Sequence, residues 1–303
     1  MDKNEIALKA HKEWNGKIEV VSRVSIKNKE ELAVAYTPGV AVPCLEIEKD
    51  EMLAYDYTRK GNLVAVITNG TAVLGLGDIG PSAGMPVMEG KCCLFKEFAG
   101  IDAFPICVDS KDPDELVNII YKISKSFGGI NLEDICAPTC FEVERRLKEM
   151  CDIPVFHDDQ HGTAIIVSAA LLNAAKLKGK EPSQLKVVLN GAGAAGISIA
   201  KLLIDIGFTN MILCDIFGTI YEGGPANTDA QRDMAKITNK EKLSGNLADA
   251  LKGADVFVGV SKGNLVSEEM VRSMNEKPVI LAMANPTPEI MPDVAIKAGA
   301  YIV

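Results

Sequence analysis

Basic residues are in deficit along this chain: 32 lysines and arginines stand against 41 aspartates and glutamates, with only 3 histidines, for a formal net charge of -9. With a pI near 5.0, that balance excludes a non-specific surface for nucleic acid or anionic membrane, because long-range phosphate attraction needs a basic field. A local pocket for a small anion stays open. Long hydrophobic runs are also missing. The longest weakly polar stretch, residues 162–175, is too short for a membrane span and is interrupted by Thr163, Ser168 and Asn173. The opening MDKNEIALKAHKEW is charged throughout and lacks a signal-peptide core, which places the protein in the cytoplasm. The 8 cysteines form no C-x-x-C pair and no zinc-like cluster with the histidines, so they read as reduced core thiols. No internal repeat, low-complexity tract or long linker interrupts the sequence.

What is present is a globular composition: 303 residues, 48% hydrophobic and 24% charged, enough for about two domains. A chain of this length buries most of its apolar surface without a disulfide or a metal, so a metal would serve chemistry. From Asn62 onward the pattern alternates apolar strand, turn and amphipathic helix. NLVAVIT is followed by the helical EGKCCLFKEFAG, the strand DAFPICVD, and a helix opened by Asp112-Pro113 with Glu115 at capping-box distance. The strands GINLED and PVFHDD flank the helical FEVERRLKEMCD. A long helix over residues 162–178 leads to a second block with the strands QLKVVLN, NMILCD, ADVFVGV and PVILAMAN. Such alternation specifies parallel sheets with crossover helices. The fold class is therefore α/β with two domains, an N-terminal parallel-sheet domain over residues 1–160 and a C-terminal Rossmann-like domain over residues 161–303.

In LKVVLNGAGAAG, Gly191, Gly193 and Gly196 form G-x-G-x-x-G directly after an apolar strand and at the opening of a helix, with Ala194 and Ala195 in the same turn. The glycines allow a tight turn, and backbone N–H groups at the helix start can meet a pyrophosphate where the dipole favours negative charge. Asp215 ends the next strand, where an acid would hold a ribose diol. Only Ile216 and Phe217 separate it from Gly218, with no lysine or arginine to neutralise a 2'-phosphate, which favours NAD over NADP.

Two strands of the first block end in adjacent acids, Glu133 and Asp134 in one and Asp158 and Asp159 in the other. Ligands of open parallel sheets bind beyond the carboxyl ends of the strands. Four acids gathered there would repel one another unless a cation neutralised them, and hard oxygen donors suit Mg or Mn better than Zn. His157 and His161 flank these acids and are assigned supporting roles. Lys91 stands at the opening of a helix among apolar neighbours, where a lysine can serve as a base or simply snorkel. Tyr36, beside a Thr-Pro-Gly turn, carries no signal by itself.

Together the segments AYTPGVA, AVLGLGDIGPSAGMPVMEGK, FGGINLEDICAPTCFEVE, PVFHDDQHGTA, the glycine motif and AMANPTPE resemble the malic enzymes, in particular the short prokaryotic type. The resemblance runs through nearly the whole chain in the family's order. It implies oxidative decarboxylation of malate to pyruvate and CO2 with reduction of NAD, dependent on Mg or Mn, in a homodimer. It also implies residue roles: Tyr36 as general acid, Lys91 as general base, Glu133, Asp134 and Asp159 as metal ligands with Asp158 beside them, and Asn285 contacting substrate and nicotinamide.

Two departures from the family pattern stand out. Many larger members carry an arginine before LGLGD that grips the substrate carboxylate, and Val73 holds that place here. The chain also stops at Val303, whereas relatives continue with an asparagine-rich segment that closes the site, so a truncated second domain is expected. Malolactic chemistry, with lactate leaving and bound NADH reused, and a catalytically impaired NAD-binding protein are the rival expectations.

Overall fold

The computed structural model describes residues 2–73 and 76–303. Leu74 and Gly75, inside the GLGD segment, lie outside the described residues. The chain divides into two compact units, Met1–Phe156 and His157–Val303.

The first unit opens with the helices α1 (Lys3–Trp14), α2 (Lys29–Ala35), α3 (Ala41–Lys49) and α4 (Ala54–Tyr57). No residue from Asp2 to Arg59 is buried. Beyond them lies a four-stranded sheet in the order β2-β1-β3-β4, made of β1 (Leu63–Thr68), β2 (Asp102–Cys107), β3 (Gly129–Leu132) and β4 (Val155–His157). β1 pairs in parallel with both β2 and β3. Its central residues Ala65, Val66 and Ile67 are fully buried, as a strand covered on both faces requires.

The crossovers are α5 (Pro81–Ala99), α6 (Pro113–Ile123) and α7 (Thr139–Met150). α5 packs Met88 and Cys92 against Val66 of the sheet. It starts ten residues before Lys91, because Gly80 takes a left-handed φ of 83° and Pro81 supplies the first helical φ, and it ends at Gly100 with φ 67°. Lys91 therefore lies in the helix interior, not at its opening. The Asp112-Pro113 start of α6 is as the sequence suggests, but Glu115 does not close a capping box. Asp112 accepts the Asp114 N–H at 2.9 Å, and Glu115 instead accepts the Ser110 hydroxyl at 2.7 Å.

The second unit begins with α8 (Asp158–Lys178), which starts four residues earlier than its apolar pattern suggests. β4 ends at His157, and Asp158 and Asp159 form the first helical turn, where the dipole stabilises acids. The sheet runs β7-β6-β5-β8-β9, from β5 (Val187–Asn190), β6 (Met211–Asp215), β7 (Gly218–Thr219), β8 (Val256–Gly259) and β9 (Val279–Ala282). All neighbours pair in parallel except the short β7, which turns back antiparallel on β6. The helices are α9 (Ala194–Asp205), α10 (Asp229–Ile237), α11 (Leu247–Leu251), α12 (Glu268–Arg272) and α13 (Pro292–Lys297). One face of the sheet packs its core with α8 and α9, through Val167, Leu171, Ile199 and Leu203 among others. The other face packs with α11, α12 and α13, through Leu251, Val271 and Ala295. The strand expected over residues 300–303 reduces to one parallel bridge between Ile302 and Val279.

The cysteines are more dispersed than the sequence suggests. Cys92, Cys140 and Cys214 are buried, Cys44 is exposed and the other four lie between. Burial pushes the Cys92 and Cys214 thiols up to about 12, aided by Cys93 and Glu89 at the first and Asp215 at the second. Neither is a nucleophile near neutral pH.

Candidate active site

At the carboxyl end of the first sheet the backbone sets the acids in place. Glu133 extends β3, its N–H donating to Ile67 O at 2.8 Å, so its side chain starts from a fixed ladder position. Asn131 Nδ2 donates to Glu133 Oε2 at 2.9 Å. Asp134 then turns into the left-handed region, φ 54°, which aspartate tolerates better than most residues, and its carbonyl accepts the Ala72 N–H at 3.0 Å. The turn is braced by Thr71, whose hydroxyl accepts the Cys136 N–H at 3.0 Å and donates to Asn69 Oδ1 at 2.6 Å.

Carboxylate oxygens of Glu133, Asp134 and Asp159 lie within 4.8 Å of one another. Glu133 and Asp134 are only 5% and 4% exposed, so their charges are largely withdrawn from water. Among the described residues this acidic group includes neither His157, which is buried, nor His161, which is half-buried. It also omits Asp158, whose Oδ1 folds over Gly162 and would sit 2.3 Å from a Cβ placed there. From α5, Lys91 reaches the acids with Nζ 3.3 Å from Glu133 Oε2 and its side chain 23% exposed.

The structure thus brings Lys91, Glu133, Asp134 and Asp159 together. Tyr36 is the C-cap of α2 and is 65% exposed. Val73, in the place where larger relatives carry an arginine, is fully buried and bridges to Gly77.

The glycine motif in the second unit divides three tasks. Gly191 has φ 110°, and a Cβ there would lie 2.7 Å from Val260 O. A Cβ on Gly196 would lie 1.9 Å from Gly191 O, so this position requires glycine for the close approach of helix to turn. Gly193, the N-cap of α9, faces open space, with nothing within 4 Å of an added Cβ. That cradle, at the N-terminus of a 12-residue helix, suits an anion. Ala194 and Ala195 form the first turn of α9. Asp215 ends β6, with Oδ1 accepting the Ile216 N–H at 2.7 Å and Oδ2 accepting Gln231 Nε2 at 2.6 Å. Asn285 is exposed, on the loop after β9.

Two residues with no role in the sequence reading organise these loops. Glu289 is fully buried, and its carboxylate accepts the Ser261 N–H at 2.9 Å and the Ala284 N–H at 3.1 Å, tying the loop that carries Asn285 to the end of β8. Ser261 in turn accepts Asn190 Nδ2 at 2.7 Å. Gln231 joins the glycine turn to Asp215. Its only advance signal is the Thr228-x-x-Gln231 spacing of a helix start.

An acidic cluster with two of its three carboxylates buried, at the carboxyl end of one parallel sheet, and a glycine cradle and strand-end acid on another define a dinucleotide-binding α/β protein with a second site for a charged group. The model of the malic enzyme N-terminal domain matches residues 15–148, and that of the malic enzyme NAD-binding domain matches residues 160–297. The chain belongs to the malic enzyme family. It is 54% identical to a bifunctional malic/malolactic enzyme of Bacillus subtilis, covering 100% of this chain and 74% of that protein. It is 53% identical to an NAD-dependent malic enzyme of Geobacillus stearothermophilus and 51% identical to an NADP-dependent malic enzyme of Escherichia coli, spanning 59% and 37% of those proteins. A crystal structure of an NAD-dependent malic enzyme from Thermotoga maritima, 50% identical, superposes with a TM-score of 0.95 over 98% of this chain and 79% of that one. Among the described residues no helix is long and apolar enough to cross a membrane.

Proposed function

We propose that this chain carries out the oxidative decarboxylation of malate to pyruvate and CO2 with reduction of NAD, in the cytoplasm, using Mg or Mn. The observation that carries this reading is the approach of Lys91 to a three-carboxylate cluster of which two members are buried. Three carboxylates within 4.8 Å are an all-oxygen donor set, which fits a hard divalent cation whose charge would offset their mutual repulsion. Glu133, Asp134 and Asp159 would hold that ion, which when bound supplies Lewis-acid polarisation of the oxygen on C2 of the substrate.

The remaining chemistry falls to side chains and the dinucleotide. Lys91 takes the C2 hydroxyl proton on Nζ while hydride leaves C2 for the nicotinamide, giving a 2-oxo acid. Lys91 enters this step as the neutral amine, and the ammonium it becomes is stabilised by Glu133, whose Oε2 lies 3.3 Å from Nζ. CO2 then leaves, and Tyr36 donates its phenolic proton to the methylene carbon of enolpyruvate. Gly193 and the α9 N-terminus receive the pyrophosphate, Asp215 the adenosine ribose, and Asn285 the nicotinamide side. NAD is preferred over NADP because a carboxylate at Asp215 repels a 2'-phosphate and neither Ile216 nor Phe217 neutralises one.

The working form is a homodimer. The N-terminal helices and the segment between them expose Val20 at 81%, Val34 at 77%, Val21 and Val42 at 65% and Leu45 at 55%, an apolar run that a second copy would cover together with Tyr36. Sedimentation of the chain as a monomer at micromolar concentration would contradict this part of the reading. A second catalytic reading, malolactic conversion, is favoured by one observation, the similarity to the Bacillus subtilis bifunctional enzyme. The test of the main reading is malate-dependent NADH formation with Mn: we expect turnover that stops with chelator and returns with added Mn. Turnover indifferent to chelator would overturn the metal assignment.

A further inference from the structure

Gln231 is buried, 3% exposed, and its side chain makes three hydrogen bonds, using both N–H donors of the amide. Its Oε1 accepts the Asn227 N–H at 2.7 Å. Its Nε2 donates to Ala192 O at 3.1 Å and to Asp215 Oδ2 at 2.6 Å. Two acceptors on one end and an N–H on the other fix the amide orientation, since a flipped amide would set an oxygen against an oxygen twice and a nitrogen against a donor. The backbone is held as well: Thr228 caps α10 by accepting the Gln231 N–H at 3.2 Å. One side chain therefore couples the glycine turn, the strand-end acid and the start of α10. A carboxylate has about four lone-pair directions. Ile216 N–H and Gln231 take one on each oxygen, which leaves one on each oxygen for a hydroxyl donor.

We propose that Gln231 is a positioning residue for dinucleotide recognition: it holds Asp215 in the rotamer that accepts both hydroxyls of the adenosine ribose, and in register with the turn that receives the pyrophosphate. This rests on the NAD reading above. The amide carries no positive charge to offer a 2'-phosphate, so the same residue that orders Asp215 for a diol leaves it unneutralised against a phosphate.

The experiment is a fluorescence titration of NADH into the full chain and its variants, alongside steady-state KM for NAD and for malate. Q231M keeps the length of the side chain and removes its donors. It is expected to weaken NADH binding about tenfold, the scale of one hydrogen bond to a charged group, and to raise the KM for NAD in parallel while moving kcat at saturating NAD and the KM for malate far less. In a D215A background the same change is expected to cost much less, the remainder reflecting the lost bond to Ala192 O. Because Gln231 is buried, Q231E serves as a second variant. It keeps the acceptor for Asn227 and sets a carboxylate against Asp215 and Ala192 O, so its loss should exceed that of Q231M and should shrink, without vanishing, in the D215A background. NADH affinity equal to the unaltered chain in either variant, or an undiminished loss after D215A, overturns the proposal. The NAD reading fails separately, if the unaltered chain has the higher kcat/KM with NADP.

Discussion

At the scale of single residues, the acids and Lys91 make separable predictions. Asp159→Ala removes one of the three carboxylates of the cluster and is expected to abolish Mn-dependent turnover while NADH affinity, measured by fluorescence, stays near that of the unaltered chain. Near-normal turnover in that variant would show that the cluster does not hold the working metal. Lys91→Ala and Tyr36→Phe should divide the partial reactions. The first is expected to slow malate oxidation by roughly 10²- to 10⁴-fold, the usual worth of a general base, and the second to slow tautomerisation of enolpyruvate by a similar factor. Equal loss of both partial reactions in both variants would assign these residues to substrate positioning instead.

The residues legible in the sequence were those whose chemistry is local. Glu133, Asp134 and Asp159 sit just past strand ends, and strand ends can be read from apolar runs. Lys91 could be singled out from its apolar surroundings, but only the family resemblance chose a base over a snorkelling lysine, since an interior helical lysine can be either. Gln231 and Glu289 were not legible, because their partners lie 16 and 28 positions away and only folding brings them together.

At the scale of elements, the glycine motif separates folding from binding. Gly193→Val projects into open space, so it is expected to fold and to lose NADH affinity, whereas Gly196→Val drives its side chain into Gly191 O and is expected to lower Tm. Overpacking of this kind costs about 1–3 kcal/mol or more. Comparing thermal melts with NADH titrations of the two variants checks the distinction; a Tm loss in Gly193→Val equal to that in Gly196→Val would contradict it.

A second element-level tie joins the end of α8 to the start of β8. Asp255, 2% exposed, accepts Lys180 Nζ at 2.9 Å and lies 3.2 Å from the buried Lys178 Nζ. Burial by itself would raise the Asp255 carboxyl, but Lys180, the Lys186 N–H and Lys178 more than offset it and hold the group below the usual carboxylate range. The sign follows: with the folded value depressed, this contribution to stability is complete at neutral pH and is lost as pH falls through the acid range. Asp255→Asn leaves Lys178 buried without its counter-charge and is expected to cost about 3–5 kcal/mol at neutral pH, read from denaturant unfolding. At a pH below the carboxylate range the variant and the unaltered chain should converge.

Element types were largely legible because parallel strands buried on both faces read as continuous apolar runs, as in VVLN and VILA. Helix starts were not. α5 and α8 begin eight and four residues before the helices read from their patterns, since a Gly-Pro start and a pair of dipole-stabilised acids, not hydrophobic periodicity, decide where they open. β7 went unread because a two-residue return strand has no periodicity at all.

At the scale of the whole molecule, the chain belongs to a family whose members use NAD or NADP at nearly equal identity to it, 53% and 51%, so overall similarity does not choose the cofactor and the local chemistry of Asp215 must. The same holds for the product, given 54% identity to a bifunctional malic/malolactic enzyme. In the proposed reaction a metal-dependent acidic site and a dinucleotide site in one chain oxidise and decarboxylate malate, and the product balance of the purified chain with malate, NAD and Mn reads this out. Pyruvate and NADH are expected in equal amounts, with both absent under chelator; lactate without net NADH, or pyruvate formed at an unchanged rate under chelator, would contradict the reaction.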